Sequence, residues 1–322
     1  MRGLASCYNE HAIRVSDSYC SSKPSSQAYL CPKLTLSSNK YSVTSVYKVN
    51  LNSTQKQQLL ISITWTKKLI RQGFSITVAN GSNPSSHSSV PKDHQLRKSK
   101  GNETFKSQNL HVQVSWDVTA ARYSSDQGPE PIGGFYVDVF VDAEPCLHLG
   151  DKNDAEVNGG FGSFSMVSRS ERLFGNRMFS TKARFSDVGS WHDIVIKFCT
   201  DEEEEEGYKG HGYGHDEVVL CVCMDEKRIL QVKRVRWNFR GNQTVFVDGL
   251  VVDMMWDIHD WLFFDQNNKG CAVFLFRTRS CLESRLWLLE EKNFQTRDNN
   301  NKDDEVDNGF SFLICASSKN PD

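Results

Sequence analysis

Val232–Gly249 reads VKRVRWNFRGNQTVFVDG, and the spacing of its apolar residues decides the fold. Val235, Trp237 and Phe239 stand two apart, with Arg234, Arg236, Asn238 and Arg240 alternating between them. Side chains alternate across a strand with a period of two, whereas a helix brings together residues three and four apart. The stretch is therefore expected to be a strand with one apolar core face and one basic face. A tight connection at Arg240-Gly241-Asn242-Gln243 and a second strand follow it.

The same period runs outward in both directions. YSVTSVYKVNL, QLLISITWTKK, GFSITVAN, NLHVQVSWDVTA, GGFYVDVFVD, HDIVIKFC, EVVLCVCMD, KRILQVKRVRWNF, QTVFVDGLVVDMMWDI, CAVFLFRT and FSFLICAS are short, rich in β-branched and aromatic residues, and bounded by Gly, Asn, Asp or Ser. No comparable segment carries an apolar 3.6 period with caps at both ends. Many strands without intervening helices exclude a doubly wound parallel sheet. The expected fold is all-β: a large antiparallel β-sandwich with long polar loop insertions and little helix.

Hairpins are expected at Asp225-Glu226-Lys227 and at Asp142-Ala143-Glu144, each between two apolar runs. Pro145 cannot donate to a ladder, so it belongs at a strand start or an edge. SWDVTAARY from Ser115 echoes MWDIHDWLF from Met255; a duplicated half-sandwich is one explanation of the echo. Three polar stretches are expected as flexible loops: residues 81–108, the acidic 201–217, and the Asn- and acid-rich 296–309. Residues 40–318 are then one sandwich domain, between a poorly ordered segment 1–39 and a tail 319–322.

At 322 residues a single body buries roughly 75% of the surface its unfolded chain exposes, enough for a core without staples. The apolar fraction of 38% and the mean hydropathy of -0.51 are low, which the polar loops explain. A net charge of -2 provides no global field toward nucleic acid or an acidic bilayer, and no specific nucleic-acid signature is present. The N-terminus lacks the apolar run of a signal peptide, and no segment offers the roughly 20 apolar residues that span a bilayer; a cytoplasmic protein is expected. The sequons at Asn52, Asn80, Asn102 and Asn242 matter only in a secreted protein. The 10 cysteines include no C-x-x-C pair. Cys221 and Cys223 sit two apart on one strand, and Cys7, His11, Cys20 and Cys31 fit no common metal module, so tolerated thiols are favoured over ligands. No metal or cofactor is expected.

VSWDVTAARY, GPEPIGGFYVDVFVD, LHLGD, SRSERLFGNRMFSTKARF, QVKRVRWNFRGNQTVFVDGLVVDMMWDIHDWLF and AVFLFRT together resemble the plant proteins grouped as the domain-of-unknown-function 868 family. The resemblance extends from about Ser42 to Ser317, and RGNQT and WDIHDWLF are its most specific phrases. It implies a plant source and brings no activity, ligand or catalytic residue with it. Two departures limit what carries over. Family members tend to have Arg-Glu-His where this chain has Ser170, Glu171 and Arg172, and the acidic 201–217 segment is longer than the usual connection.

Two constellations are candidates for function. Arg234, Arg236 and Arg240, with Asn242 in the following turn, would present guanidinium forks and backbone amides to an anion; the alternative is a solvated sheet face whose ion pairs contribute little. Asp257 and His259, on one face of an assumed strand with Trp261, would orient each other for general-base catalysis or hold a metal with Asp253 or Asp248; the alternative is that they satisfy backbone groups at a strand end. G-x-S-x-G and P-loop motifs are absent, and Gly159, Gly160 and Gly162 precede a strand. Asp138 lacks the partner carboxylate that a glycosidase needs. Tyr123, Tyr136 and Trp191 would stack sugars or nucleobases if exposed, but at strand spacing they are expected in a core. The expected function is non-enzymatic binding of a protein partner or an anionic ligand; the rival is a hydrolase acting on a carbohydrate or ester through Asp257 and His259.

Overall fold

Alternating burial is the rule along the chain: Gln58–Lys67 and Leu110–Asp117 hide every second side chain. Such a strand needs partners for its backbone groups and a cover for its apolar face. A computed structural model describes residues 39–51, 58–67, 72–80, 92–124, 128–152, 161–186, 189–200, 218–263, 270–279 and 309–318. The strands are β1 (Asn39–Asn50), β2 (Gln58–Lys67), β3 (Gln72–Asn80), β4 (His94–Leu96), β5 (Lys100–Ser107), β6 (Leu110–Asp117), β7 (Arg122–Tyr123), β8 (Pro131–Gly133), β9 (Tyr136–Val141) and β10 (Glu144–Gly150). They continue with β11 (Phe164–Phe174), β12 (Met178–Ala183), β13 (His192–Thr200), β14 (Val218–Met224), β15 (Lys227–Val232), β16 (Arg240–Val247), β17 (Leu250–Asp257), β18 (Cys271–Thr278) and β19 (Ser311–Ser317). A short helix, α1 (His259–Phe263), follows β17. The fold is all-β.

A nine-stranded sheet runs β16-β17-β18-β19-β11-β1-β2-β3-β4, and two four-stranded sheets, β10-β9-β6-β5 and β12-β13-β14-β15, each pack against part of it. One core joins Ile61, Ile63 and Ile76 to Val112, Val114, Trp116 and Val139. The other joins Ile194, Ile196 and Leu220 to Met254, Phe274, Phe276 and Phe312. Each fully buried side chain of this size contributes about 1.5–3 kcal/mol. β11 connects the two parts, pairing parallel with β19 and antiparallel with β1.

The two parts follow one plan. β1 to β4 form an antiparallel meander, as do β12 to β15, and β5-β6-β9-β10 matches β16-β17-β18-β19 strand for strand. The register repeats too. Gly101 faces Trp116 and Lys100 faces Asp117 in one hairpin, while Gly241 faces Trp256 and Arg240 faces Asp257 in the other. The echo between SWDVTAARY and MWDIHDWLF lies in this repeated hairpin, with Ser115 and Met255 at equivalent positions.

Several expectations are corrected. Residues 81–108 are not all loop: β4 and β5 lie within them, and β5 pairs with β6 over its whole length. Its sequence KGNETFKS conceals the period because β5 is an edge strand, with Gly101 packed under an indole, Phe105 as its one apolar side chain against the core, and Ser107 buried with its hydroxyl on the Val78 carbonyl. The strand read through Phe239 stops at Val232, so the tight connection occupies 233–239 and the next strand begins at Arg240, inside the expected turn. The Trp256–Trp261 stretch leaves the sheet after Asp257 and turns into α1. The hairpin turns fall where expected, with Asp142, Ala143, Asp225 and Glu226 all at positive φ. Pro145 sits near the start of the edge strand β10. Residues 1–38, 201–217, 296–308 and 319–322 lie outside the described residues, as do Cys7, His11, Cys20, Cys31, Gly159 and Gly160. No described helix is long and apolar enough to cross a membrane.

Candidate binding rim at the 233–240 turn

β14 ends at Met224, the hairpin turn takes Asp225 and Glu226, and β15 pairs back along β14 as far as Val232 opposite Leu220. Residues 233–239 then leave the ladder as a pinned turn. Arg234 adopts a left-handed φ of 54°. Its carbonyl accepts the amides of Trp237 at 2.9 Å and Asn238 at 3.0 Å. Asn238 Nδ2 donates to the Lys233 carbonyl at 3.0 Å, and Val235 is plugged into the core at 1% exposure. Exposed on the turn are Lys233, Arg234, Arg236, Asn238 and Trp237, the last 83% exposed. Among the described residues no carboxylate pairs with Arg234 or Arg236.

The base of the turn is fixed by the repeated hairpin. Trp256 Nε1 donates to the Asn238 carbonyl at 3.1 Å, and its ring lies so close over Gly241 that an added Cβ would meet it at 2.2 Å. In the other hairpin Trp116 Nε1 donates to the Lys98 carbonyl at 2.9 Å, and its ring covers Gly101. The glycine of Arg-Gly-Asn is thus required by the indole above it, which leaves no anion nest at that point. Lys100–Asp117 at 3.2 Å and Arg240–Asp257 at 2.8 Å are also equivalent. Trp237 has no aromatic counterpart: the matching position is Arg97.

The sequence-derived candidates meet at this rim in a new arrangement. Arg240 Nε donates to Asp257 Oδ2, and its guanidinium lies 5.5 Å from the Phe239 ring. Asp257 Oδ1 accepts the backbone amide of His259 at 3.1 Å, so Asp257 caps α1. The His259 imidazole pairs with Asp260 at 3.0 Å and packs against Phe239 and Phe263. The Asp257–His259 contact is thus between carboxylate and backbone, and the one-face placement with Trp261 is replaced: Trp261 stacks on Phe198 at 4.9 Å. The basic row is also divided. Arg234 and Arg236 lie in the turn, while Arg240 and Asn242 lie on the outer face of the nine-stranded sheet, where Asn242 is opposite Met255. The reading that buried Trp237 beside Phe239 is overturned, since Trp237 projects into solvent.

Other titratable clusters have structural partners. Asp138 is 1% exposed and pairs with His148 Nδ1 at 2.6 Å, with Phe161 5.3 Å from that ring. Tyr136 is buried, and Trp191 is exposed under the Arg184 guanidinium. Glu171, fully buried, receives Lys40 at 2.7 Å, Arg169 at 2.9 Å and the Thr181 hydroxyl. Arg169 also reaches Glu130 at 2.7 Å, which leaves two cations facing two anions. Burial lowers the proton affinity of Lys40 against the pull of Glu171. His192 bridges Asp225 at 2.6 Å and Asp248 at 3.1 Å. Burial opposes its charge, but the two carboxylates outweigh burial and hold the imidazole above its ordinary value. No signal within 232–249 announced these clusters, because their partners come from distant strands.

No curated protein and no solved structure matches the sequence. The family model described as "Plant protein of unknown function (DUF868)" matches residues 38–318, from just before β1 to just after β19, and the chain belongs to this family.

Proposed function

We propose that the protein is a non-enzymatic binding module that grips a phosphate-bearing ligand through the turn at 233–240. The observation carrying this reading is Trp237, 83% exposed on a turn held by Val235 and Asn238. Exposing an indole gives up about 1.5–3 kcal/mol that burial would supply, and the fold does not require an aromatic there, since the equivalent hairpin has Arg97. Arg234 and Arg236 flank it and keep their forks free of described carboxylates. Trp and Arg on a fixed backbone are the residue types that dominate binding energy, because little freedom is lost on contact. Asp257 and His259 are engaged with Arg240, a backbone amide and Asp260, an arrangement that supports the rim rather than a hydrolytic dyad. Cys146, Cys271 and Cys315 are free thiols, which fits a reducing, intracellular compartment.

Calorimetric titration with inorganic tripolyphosphate at several salt concentrations tests this. R234S/R236S is expected to bind about tenfold more weakly or worse, since each charge-assisted hydrogen bond contributes roughly 1.5–3 kcal/mol, and to have a shallower salt dependence. Equal affinity and equal salt slope for the two proteins would remove the proposal.

A further inference from the structure

The outer face of the nine-stranded sheet carries a pair of thiols that the binding rim does not use. β18 and β19 are antiparallel, with Cys271 opposite Ser317 and Val273 opposite Cys315, so the two cysteines are diagonal neighbours. Both belong to the half-accessible set that alternates with buried Ala272, Phe274, Ile314 and Ala316, and the two thiols hydrogen-bond each other. Arg172 stands directly opposite Cys315 on β11. Tyr41 hydrogen-bonds Arg172 from the far side, and Asp260 lies near Cys271. By contrast Cys146, Cys221 and Cys223 are buried.

We propose that Cys271 and Cys315 are a reversible dithiol–disulfide pair oxidised by hydrogen peroxide. Cys315 is the attacking sulfur. The hydrogen bond from Cys271 comes first among its influences; burial opposes it and Arg172 adds to it, and the thiol is brought down to about 7. Cys271 is held protonated by the same hydrogen bond and by burial. The Cys315 thiolate attacks one peroxide oxygen, the O–O bond breaks, and the departing hydroxide takes a proton to become water. Cys315 is now a sulfenic acid. Cys271 then loses its proton and attacks the Cys315 sulfur; the S–O bond breaks, and hydroxide leaves with that proton as a second water. The two sulfurs together give up two electrons, which the peroxide has taken. Diagonal neighbours have Cα atoms roughly 7–8 Å apart, just beyond the usual reach of a disulfide. The bridge therefore closes with a small shift of β18 against β19 and remains easy to reduce.

The test is to treat the reduced full-length chain with a few equivalents of peroxide, quench, and map peptides without reductant. A Cys271–Cys315 linkage that dithiothreitol reverses is expected before any other cysteine is modified. In C271S, dimedone is expected to trap a sulfenic acid on Cys315; in C315S, Cys271 is expected to give no such adduct. Cys315 is held below the ordinary thiol range, so near neutral pH its alkylation is expected to be severalfold faster than that of an ordinary thiol, its lower basicity taking back part of the gain. Absence of the linkage in the wild-type chain, or modification of Cys315 no faster than Cys146, would overturn the proposal.

Discussion

Gly241 separates what the rim needs for folding from what it offers to a ligand. An added methyl at this position would overlap the Trp256 ring, as it would at Gly101 under Trp116. Gly241→Ala is expected to cost about 1–3 kcal/mol, the usual penalty for overpacking a fixed ring, read as a lower midpoint in urea unfolding. Arg240→Ala, which removes an exposed ion pair, is expected to change that midpoint by less than about 1 kcal/mol. The residue pattern was legible where apolar groups alternate, and it misled at Trp237. Alternation continues through Arg-Val-Arg-Trp-Asn-Phe although the ladder has ended at Val232 and the chain turns at Arg234, whose φ is 54°.

At the scale of elements, turns and strand ends are held by polar clamps. His192 opens β13 and ties the β14–β15 turn, through Asp225, to the β16–β17 turn, through Asp248. Asp225 also accepts the Asp193 amide and Asp248 the Ser190 amide. Because the folded imidazole titrates above its ordinary value of about 6.5, the clamp's contribution is complete below that pH and is lost as pH rises through the folded value. Asp225 is held below its usual range by His192 and the Asp193 amide against its burial, and Asp248 by the Ser190 amide and His192. The clamp is therefore also lost on the acid side, as pH falls through those lowered values. Thermal unfolding between pH 6 and 9 is expected to show a decline in the wild type that His192→Gln lacks; parallel profiles would contradict the clamp. The Asp225 turn was readable from its residues, whereas His192 in GSWHDIV carried no sign of its two partners, which arrive from other hairpins. Likewise β5 was hidden because an edge strand with a glycine under an indole needs almost no apolar side chains.

For the whole molecule, two similarly built parts share one sheet through β11, and the buried charges sit at that junction. Glu171 on β11 gathers Lys40 from β1 and Thr181 from β12, while Arg169 connects it to Glu130. Gly128, at a φ of 101°, lies against the Lys40 stem, where any side chain would collide. Removing one partner of a buried ion pair strands the others, so Glu171→Gln is expected to lose roughly 3–5 kcal/mol, measured as the free energy of unfolding in denaturant. A loss below about 1 kcal/mol would show that the junction is held by packing alone. The fold class was visible from period two, and the repeat was faintly visible in two Trp-Asp phrases. The division into two cores was not, because both parts have the same apolar alphabet and the sequence does not state which strands face each other.

The account stands most directly on Trp237 as the contact point of the rim. The chain has seven tryptophans, so protein labelled with nitrogen-15 at tryptophan gives one indole signal for each, and Trp237→Phe identifies the one in question. Titration with inorganic tripolyphosphate is expected to shift the Trp237 indole first and furthest, and R234S/R236S to abolish that shift. A Trp237 signal that stays in place while another indole moves, or no movement at all, would contradict binding at the 233–240 turn.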